Sequence, residues 1–388
     1  MKKIIVLITV IATALLLAYP VLLGWFLAAF SDLSLHLLVP LAGIVLVALA
    51  GVIASGIVNK RFCKKAVIAL SSVIVLIIVL LEGENYYKHS YIPSITISQQ
   101  DGYQGLYMPF TGSDKLARLD GEATLRLSKD DGLPVVNGAT ALFPVYCSFV
   151  EAVYPSDCGA KDYVGFDTTT VSYKRLTDGM DDIIFVAGPS AEQLEYAREA
   201  GVEFNMYPIG YEAFVFIVNR KNPVDSLTVR QIRDIYTGTI TNWKDVGGKN
   251  QDIRPFQRAA GSGSQTAFLA LMGKDAALLP PETHQVSGMD GLIDVVSDYQ
   301  NHGNAIGYSF RYYVETMKNN RNVKILRLDG AEATRENIRN KTYPVADCFY
   351  AVTVKGKESE STIRFIQWIL SAQGQELVEK VGYVPLSS

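Results

Sequence analysis

The stretch RAAGSGSQTAF, residues 258–268, combines one fixed positive charge with a loop of glycines and serines. Glycines let a ligand approach the backbone closely, and the first turn of a following helix has unpaired N–H groups and a partial positive charge. Ser262 and Ser264 add hydroxyl donors, and Ser264 is in position to cap the helix. Arg258 adds a planar guanidinium suited to tetrahedral oxyanions. Together these features favour a small-anion site, although a plain strand-to-helix turn accounts for the same residues.

Other chemistries of glycine-rich loops fit this stretch less well. No Gly-Lys-Ser/Thr follows, as a nucleotide P-loop requires, and Thr266 stands where a dinucleotide-binding loop needs its third glycine. No serine has the G-x-S-x-G frame of a nucleophile elbow. A hydrolase using Ser262 or Ser264 is a remaining alternative, but no base is visibly placed for it. The histidines are scattered and no C-x-x-C motif occurs, so we expect neither a metal site nor a cofactor.

Two further stretches have the same order of small residues, hydroxyls and a helix start. NGATALFPVYCSF places Thr140 and Ala141 before a predicted helix, and FDTTTVSYKRL places Thr168, Thr169 and Thr170 before another. Three such helix starts could converge on one ligand at the carboxyl ends of the strands. Taken singly, each of them is also explained as an ordinary helix cap.

The elements that must position these residues alternate between strands and helices from Leu133 onward. DIIFVAGPS and EAFVFIVN have the pattern of buried strands, whereas LTVRQIRDIYTG and STIRFIQWILSAQGQELVEKV have that of helices. The alternation predicts an α/β fold with mainly parallel sheets. The region 133–388 is long for one compact unit, so we expect two lobes joined by the hinge strands FVFIVN and FYAVTV. Lobe 1 would combine about 133–215 with 345–388, and lobe 2 would be about 220–340.

The first 82 residues are predicted to form three transmembrane helices. Residues 4–30 and 37–58 contain no charged side chain, and residues 66–81 form a third apolar run. A cleaved signal peptide is the alternative for the first run, but the two further runs argue against it. Residues 83–132, rich in Tyr, Gly, Pro, Ser and Asp, are predicted to be a connector.

The charged residues and the cysteines indicate where the part of the chain after the spans lies and what it is able to bind. The loop 59–65 is basic, so the positive-inside rule predicts a multi-pass cell-membrane protein whose C-terminal domain, after Leu81, is extracellular. The first 82 residues carry a net charge of +4 and the whole chain −3, which leaves −3 − 4 = −7 for the outer portion. A domain this acidic is not expected to bind nucleic acid. Cys147 and Cys158 are close enough to form a disulfide, but reduced thiols fit equally well.

The region from about 133 to 388 resembles the phosphate-binding proteins of ATP-driven phosphate importers, which share the type II periplasmic-binding-protein fold. The stretches that carry the resemblance are GATALFPVY (138–146), SLTVRQIRDIYTGTITNWKDVGG (226–248), FQRAAGSGSQTAF (256–268) and NAIGYSFRYY (304–313). The resemblance implies a non-enzymatic receptor that holds inorganic phosphate in a cleft between two lobes and delivers it to ABC permease subunits.

The resemblance also implies a set of ligand contacts. Carried over by position, these are Thr140, Ala141, Thr168, Thr169 and Thr170 from lobe 1, and Arg258, Ser262, Gly263 and Ser264 from lobe 2. Two acids that the family often has are missing, because GPS follows the strand IIFVA and Ala260 stands two places after the arginine. Selectivity for phosphate over sulfate is therefore left open. A sensing or adhesion module that binds a phosphate ester or another anion without transport is the alternative function.

Overall fold

The computed structural model describes residues 98–273, 276–279, 288–297 and 304–386, along which strands and helices alternate. The strands are β1 Val136–Gly138, β2 Ile183–Val186, β3 Phe204–Asn219, β4 Ser226–Leu227, β5 Arg254–Pro255, β6 Ala305–Phe310, β7 Val323–Ile325, β8 Arg327–Leu328 and β9 Ala346–Val354. The α-helices are α1 Ser98–Tyr107, α2 Phe143–Val153, α3 Ala160–Tyr163, α4 Thr169–Thr177, α5 Ala191–Glu199, α6 Val229–Tyr236, α7 Gly263–Met272, α8 Gly288–Ser297, α9 Arg335–Arg339, α10 Glu360–Ile369 and α11 Ala372–Val381.

The long strand β3 connects the two halves of the main sheet. Its first part, from Phe204 to Ala213, pairs with β9, and the remainder pairs with β6 and β7. The strand order is β1-β2-β9-β3-β6-β5, with β7 also on β3. The β3–β9 register shifts between Pro208 and Gly210, where a Cβ on Gly210 would lie 2.6 Å from the ring of Phe349. Glycine is therefore required for the two strands to stay close at this irregularity.

The prediction of mainly parallel sheets is wrong. Among the described strands, β1–β2, β4–β8 and β5–β6 are parallel, whereas β3 is antiparallel to β6, β7 and β9, and β9 is antiparallel to β2. The two strands at the centre of the sheet, β3 and β9, run in opposite directions. An alternation of strands and helices favours parallel pairing only where a helix connects two neighbouring strands of the sheet. The strand β9 pairs with β2 and β3, which lie far from it in the chain, so the alternation could not reveal this reversal.

Apolar side chains pack on both faces of β2 and in a separate core further along the sheet. Ile183 and Phe185 lie in a cluster with α2, α10 and α11, whereas Ile184 and Val186 lie in another with α4. Successive strand residues point to opposite faces, so a strand covered on both sides is apolar throughout. A third cluster surrounds Trp243, β6 and the second part of β3. We call the region around β1, β2 and β9 the first lobe and the region around β5, β6 and β7 the second lobe.

The long helix predicted near the C-terminus is in fact two helices. Helix α10 ends at Ile369 and α11 begins at Ala372, because Ser371 between them is extended, with φ −73° and ψ 170°. A Cβ on Gly374 would lie 2.1 Å from the Ile369 carbonyl oxygen, so this break packs tightly only with glycine there. The side-chain amide of Gln375 donates 3.1 Å hydrogen bonds to the carbonyls of Ile369 and Ile209, which anchors the break on β3.

The described part of the predicted connector packs against the first lobe. Met108, Leu116 and Leu127 are buried in the same core as α2 and α10. The Arg118 guanidinium donates to Glu151 Oε1 through Nε at 2.9 Å and Nη2 at 2.6 Å. This segment therefore contributes apolar side chains and an ion pair to the first lobe.

The three membrane spans predicted within residues 1–82 lie outside the described residues. None of the described helices is long and apolar enough to cross a membrane.

The cysteines do not form the disulfide that the sequence left open between Cys147 and Cys158. Cys147, Cys158 and Cys348 are all free thiols. Cys147 and Cys158 are buried, and Cys348 is half-buried.

Candidate functional site

The second lobe presents the start of α7 at the end of a short strand and a tight loop. The chain leaves β5 and turns at Gly261, whose φ of +76° is a left-handed conformation that favours glycine. Ser262 caps α7, because its hydroxyl accepts a 3.3 Å hydrogen bond from the Gln265 N–H. Ser264 is therefore not the cap expected from the sequence, but a buried residue inside the first helical turn. The first-turn N–H groups of Gly263 and Ser264 have no intrahelical acceptor and suit an anion.

Arg258 is buried, and its backbone is held in place by residues of α7 and β6. Its N–H donates to Gln265 Oε1 at 3.1 Å and to the Tyr308 hydroxyl at 3.0 Å. The Tyr308 hydroxyl in turn donates to Gln265 Oε1. Burial raises the pKa of Tyr308, so this hydroxyl remains protonated and able to donate. Only 8% of Arg258 is exposed, and a guanidinium keeps its charge when buried.

The first lobe presents hydroxyl residues at the starts of two of its helical segments. Thr140 opens a single helical turn directly after β1, and its hydroxyl donates to the Asp167 carbonyl over 3.4 Å. Thr168 caps α4 by accepting a 3.4 Å hydrogen bond from the Val171 N–H. A capping hydroxyl that accepts from the backbone keeps its own hydrogen free to donate. Thr168 and Ser262 can therefore cap their helices and donate to a ligand at once.

The two helix starts come together across the cleft between the lobes. The Thr170 hydroxyl donates to the Gly261 carbonyl at 2.7 Å, and the Gln193 amide donates to the same carbonyl at 3.2 Å. A Cβ on Gly263 would lie 2.9 Å from the Thr169 hydroxyl oxygen. The structure thus brings Thr169 and Thr170 to the glycine-serine loop, as the predicted convergence requires. The Thr170 hydroxyl, however, bonds to the opposite lobe, whereas Thr140 bonds within its own lobe.

A cavity of about 360 Å³ opens between the lobes beside this contact. Three residues from the predicted site, Ala141, Thr169 and Gly263, are part of its wall. Most of the remaining wall is apolar, and we call this space the interlobe cavity. No group of three His, Cys, Asp or Glu side chains within the described ranges is arranged to hold a metal ion.

Glu212 is a buried carboxylate in the wall of the interlobe cavity that the sequence reasoning did not single out. Burial raises the pKa of Glu212, and the opposing influences are Arg311, whose Nε lies 3.4 Å from Oε1, and two backbone N–H donors. These donors are Ala213, at 2.8 Å from Oε1, and Tyr312, at 3.1 Å from Oε2. In the sequence, Glu212 could have been recognised as the one acidic residue in the mainly apolar stretch GYEAFVFIVN.

The chain is similar in sequence and in fold to known proteins. The profile of the PBP superfamily domain matches residues 128–373. An X-ray structure from Clostridium perfringens, described as a phosphate ABC transporter substrate-binding protein with bound phosphate, aligns with a TM-score of 0.52 and 30% identity. The alignment covers 64% of this chain and 98% of that chain.

Two curated proteins add to these similarities. Protein SphX of Synechococcus elongatus is 25% identical over 274 residues, which cover 67% of this chain and 79% of that protein. Phosphate-binding protein PstS 2 of Streptococcus agalactiae is 34% identical over 141 residues, which cover 35% of this chain and 46% of that protein. The present chain thus matches about half the length of the streptococcal relative. Because the profile spans more than half of the 388 residues, the α/β fold is of the two-lobed kind and the chain belongs to the PBP superfamily.

Proposed function

We propose that this protein is an extracytoplasmic receptor that binds inorganic phosphate between its lobes and delivers it to the permease of an ABC importer. The observation that carries the proposal is the meeting of two helix starts from opposite lobes, α4 and α7, next to the buried cation of Arg258. The phosphate-bound structure from Clostridium perfringens and the phosphate-binding relatives support the choice of anion.

The proposed contacts combine neutral hydrogen-bond donors with one positive charge. The set is Thr140, Ala141, Thr168, Thr169, Thr170, Arg258, Ser262, Gly263 and Ser264. Helix N-termini and hydroxyls satisfy the phosphate oxygens, and the guanidinium supplies a planar pair of charge-assisted donors. Hydrogen phosphate also carries a proton that needs an acceptor. Since Ala260 stands at one expected acid position, we propose only weak discrimination between phosphate and sulfate.

The arrangement of the whole chain is part of the same proposal. We propose that residues 1–82 tether the receptor as three transmembrane helices, with everything after Leu81 outside the cell. The uncharged runs and the basic loop 59–65 support this topology. We also propose that lobe 1 comprises about 133–215 and 345–388 and that lobe 2 comprises about 220–340. Their separate apolar clusters are the supporting observation.

Isothermal titration of the full-length chain in detergent tests the ligand. Phosphate should bind saturably with one site per chain, and sulfate should bind within about tenfold of phosphate if a carboxylate acceptor is lacking. The matched control is Arg175→Ala, since Arg175 lies in the last turn of α4 and pairs with Asp181 of its own lobe. Absence of any phosphate binding would show the proposed function to be wrong.

A sensing role without transport is the second candidate, and the missing acids are the observation that favours it. Phosphate uptake by cells that lack this chain separates the two roles. A transport receptor predicts a large loss of uptake at low external phosphate. Unchanged uptake by such cells, combined with clear binding in titration, would favour the sensor.

A further inference from the structure

The interlobe cavity begins where the proposed phosphate contacts end. Ala141, Thr169 and Gly263 belong to both. Beyond them, apolar side chains from both lobes dominate the wall, among them Leu142, Phe214, Leu271, Phe310, Val345 and Phe349. A ligand held by its phosphoryl group at the shared residues would therefore direct any substituent toward apolar surface.

The cavity is much larger than inorganic phosphate needs. One water requires about 10–15 Å³ of such volume, and phosphate has only five heavy atoms, whereas the cavity measures about 360 Å³. Pockets for small organic ligands begin at about 300 Å³. Inorganic phosphate alone would leave most of this apolar space to water.

The cavity is present while the lobes already touch at one edge. The Thr170 hydroxyl reaches the Gly261 carbonyl at 2.7 Å, and Gly263 lies against Thr169. The space is therefore not simply the gap between two fully separated lobes.

Polar groups on the cavity wall are largely engaged with the protein. The carboxylate of Glu212 accepts from two backbone N–H groups and lies beside Arg311, and the Tyr383 hydroxyl donates to the Ala141 carbonyl. A substituent rich in hydroxyls would find few partners here, and unpaired polar groups are costly to bury. Two residues of the wall, Glu212 and Asp347, are acidic, and like charges repel, so a second anionic group on the ligand is also disfavoured.

We propose that the site accepts phosphate monoesters or phosphonates with one small alkyl or aryl substituent, which occupies the interlobe cavity. The proposal rests on the proposed anion site and extends it to a substrate class. Burial of an aromatic ring in such a cavity should increase affinity at least tenfold over inorganic phosphate.

Titration of the full-length protein with inorganic phosphate, phenyl phosphate and glycerol 3-phosphate tests this inference. We expect phenyl phosphate to bind at least tenfold tighter than either of the others. Phosphate binding without tighter phenyl phosphate binding overturns the inference and leaves the receptor function standing. Tight binding of phenyl phosphate without inorganic phosphate supports the inference and overturns the proposed inorganic substrate. Binding of neither overturns both.

A pair of neighbouring variants on α7 locates the substituent. Ala270 lines the cavity, whereas Leu269 is 44% exposed and is not part of the cavity wall. Ala270→Phe should reduce the preference for phenyl phosphate over phosphate at least tenfold, and Leu269→Phe should leave that preference unchanged. An unchanged preference in Ala270→Phe contradicts the assignment.

Cys348 supplies a readout that does not depend on any variant, because this free, half-buried cysteine is one of the residues of the cavity wall. Phenyl phosphate should slow alkylation of Cys348, followed by peptide mass spectrometry, more than phosphate does at equal site occupancy. Equal alkylation rates in the two complexes would place the ring elsewhere.

Discussion

The two lobes present the same local structure to the cleft but differ in the charge they bring. In each lobe a hydroxyl residue, Thr168 or Ser262, caps a helix whose first turn faces the opposite lobe. The first lobe's nearby cation, Arg175, donates to Asp181 at 2.6 and 2.9 Å and is thereby committed to its own lobe. The second lobe's cation, Arg258, is buried beside the start of α7. Helix starts thus provide neutral donors twice, whereas the proposed charge comes from one side.

This asymmetry indicates which lobe should control affinity and which should control closure. Charge-assisted hydrogen bonds contribute more than neutral ones, so the second lobe should dominate binding. The first lobe contributes the Thr170 and Gln193 contacts to Gly261, which join the lobes. Four predictions test this division, from the largest expected effect to the smallest.

Arg258→Ala should weaken phosphate binding at least a hundredfold. A bidentate guanidinium contact makes two charge-assisted hydrogen bonds of about 1.5–3 kcal/mol each, and about 1.4 kcal/mol corresponds to tenfold in affinity. Arg175→Ala is the matched control from the first lobe. It should lower stability by about 1–3 kcal/mol, because the buried Asp181 loses its cation, while phosphate affinity changes little. Titration and thermal melting of both variants separate the roles, and equal losses of affinity would remove the asymmetry.

Gly263→Ala should weaken binding roughly tenfold or more by obstructing contact between the lobes. The new Cβ would lie 2.9 Å from the Thr169 hydroxyl oxygen, and overpacking of this kind costs about 1–3 kcal/mol. Gly105→Ala is the control, since a Cβ there meets nothing within 4 Å. In a Thr169→Ala background the effect of Gly263→Ala on the titrated affinity should shrink. An undiminished effect would show that this clash is not the cause.

Ser262→Ala should weaken phosphate binding roughly tenfold, because it removes one neutral donor. It should also lower stability by about 1 kcal/mol through loss of the α7 cap. Ser359→Ala is the matched control, since Ser359 caps α10 in the same way by accepting from the Thr362 N–H at 3.1 Å. The control should show the stability loss in thermal melting without the affinity loss in titration. Similar affinities in both variants would assign Ser262 a capping role alone.

Thr170→Val should weaken binding only a few-fold. It removes one exposed hydrogen bond between the lobes, and such bonds contribute about 0.5–1.5 kcal/mol. Thr170→Ser keeps the hydroxyl and should bind as the wild type does. If Thr170→Val instead abolishes binding in the same titration, the first lobe contributes far more to affinity than is expected when the second lobe dominates binding.

The sequence by itself determined the features that depend on residues close together in the chain. The glycines and serines after Arg258 predicted a loop followed by a helix, and α7 begins at Gly263. The apolar run IIFV predicted a buried strand, and β2 is buried, with apolar side chains on both of its faces. Caps, left-handed glycines and apolar periodicity act within a few residues, so they can be recognised without knowledge of the fold.

Only the tertiary structure decided which distant residues meet and in which direction strands run. Thr170 bonds to Gly261 across 91 positions of sequence, and Glu212 reaches the interlobe cavity because β3 passes along it. The antiparallel run of β3 and β9 and the break between α10 and α11 also depend on packing partners far away in the chain. Such contacts are set by the packing of whole elements against one another. The composition of a segment indicates that it is buried but not which distant segments pack against it. The apolar cavity beside the anion loop therefore could not be predicted from the sequence.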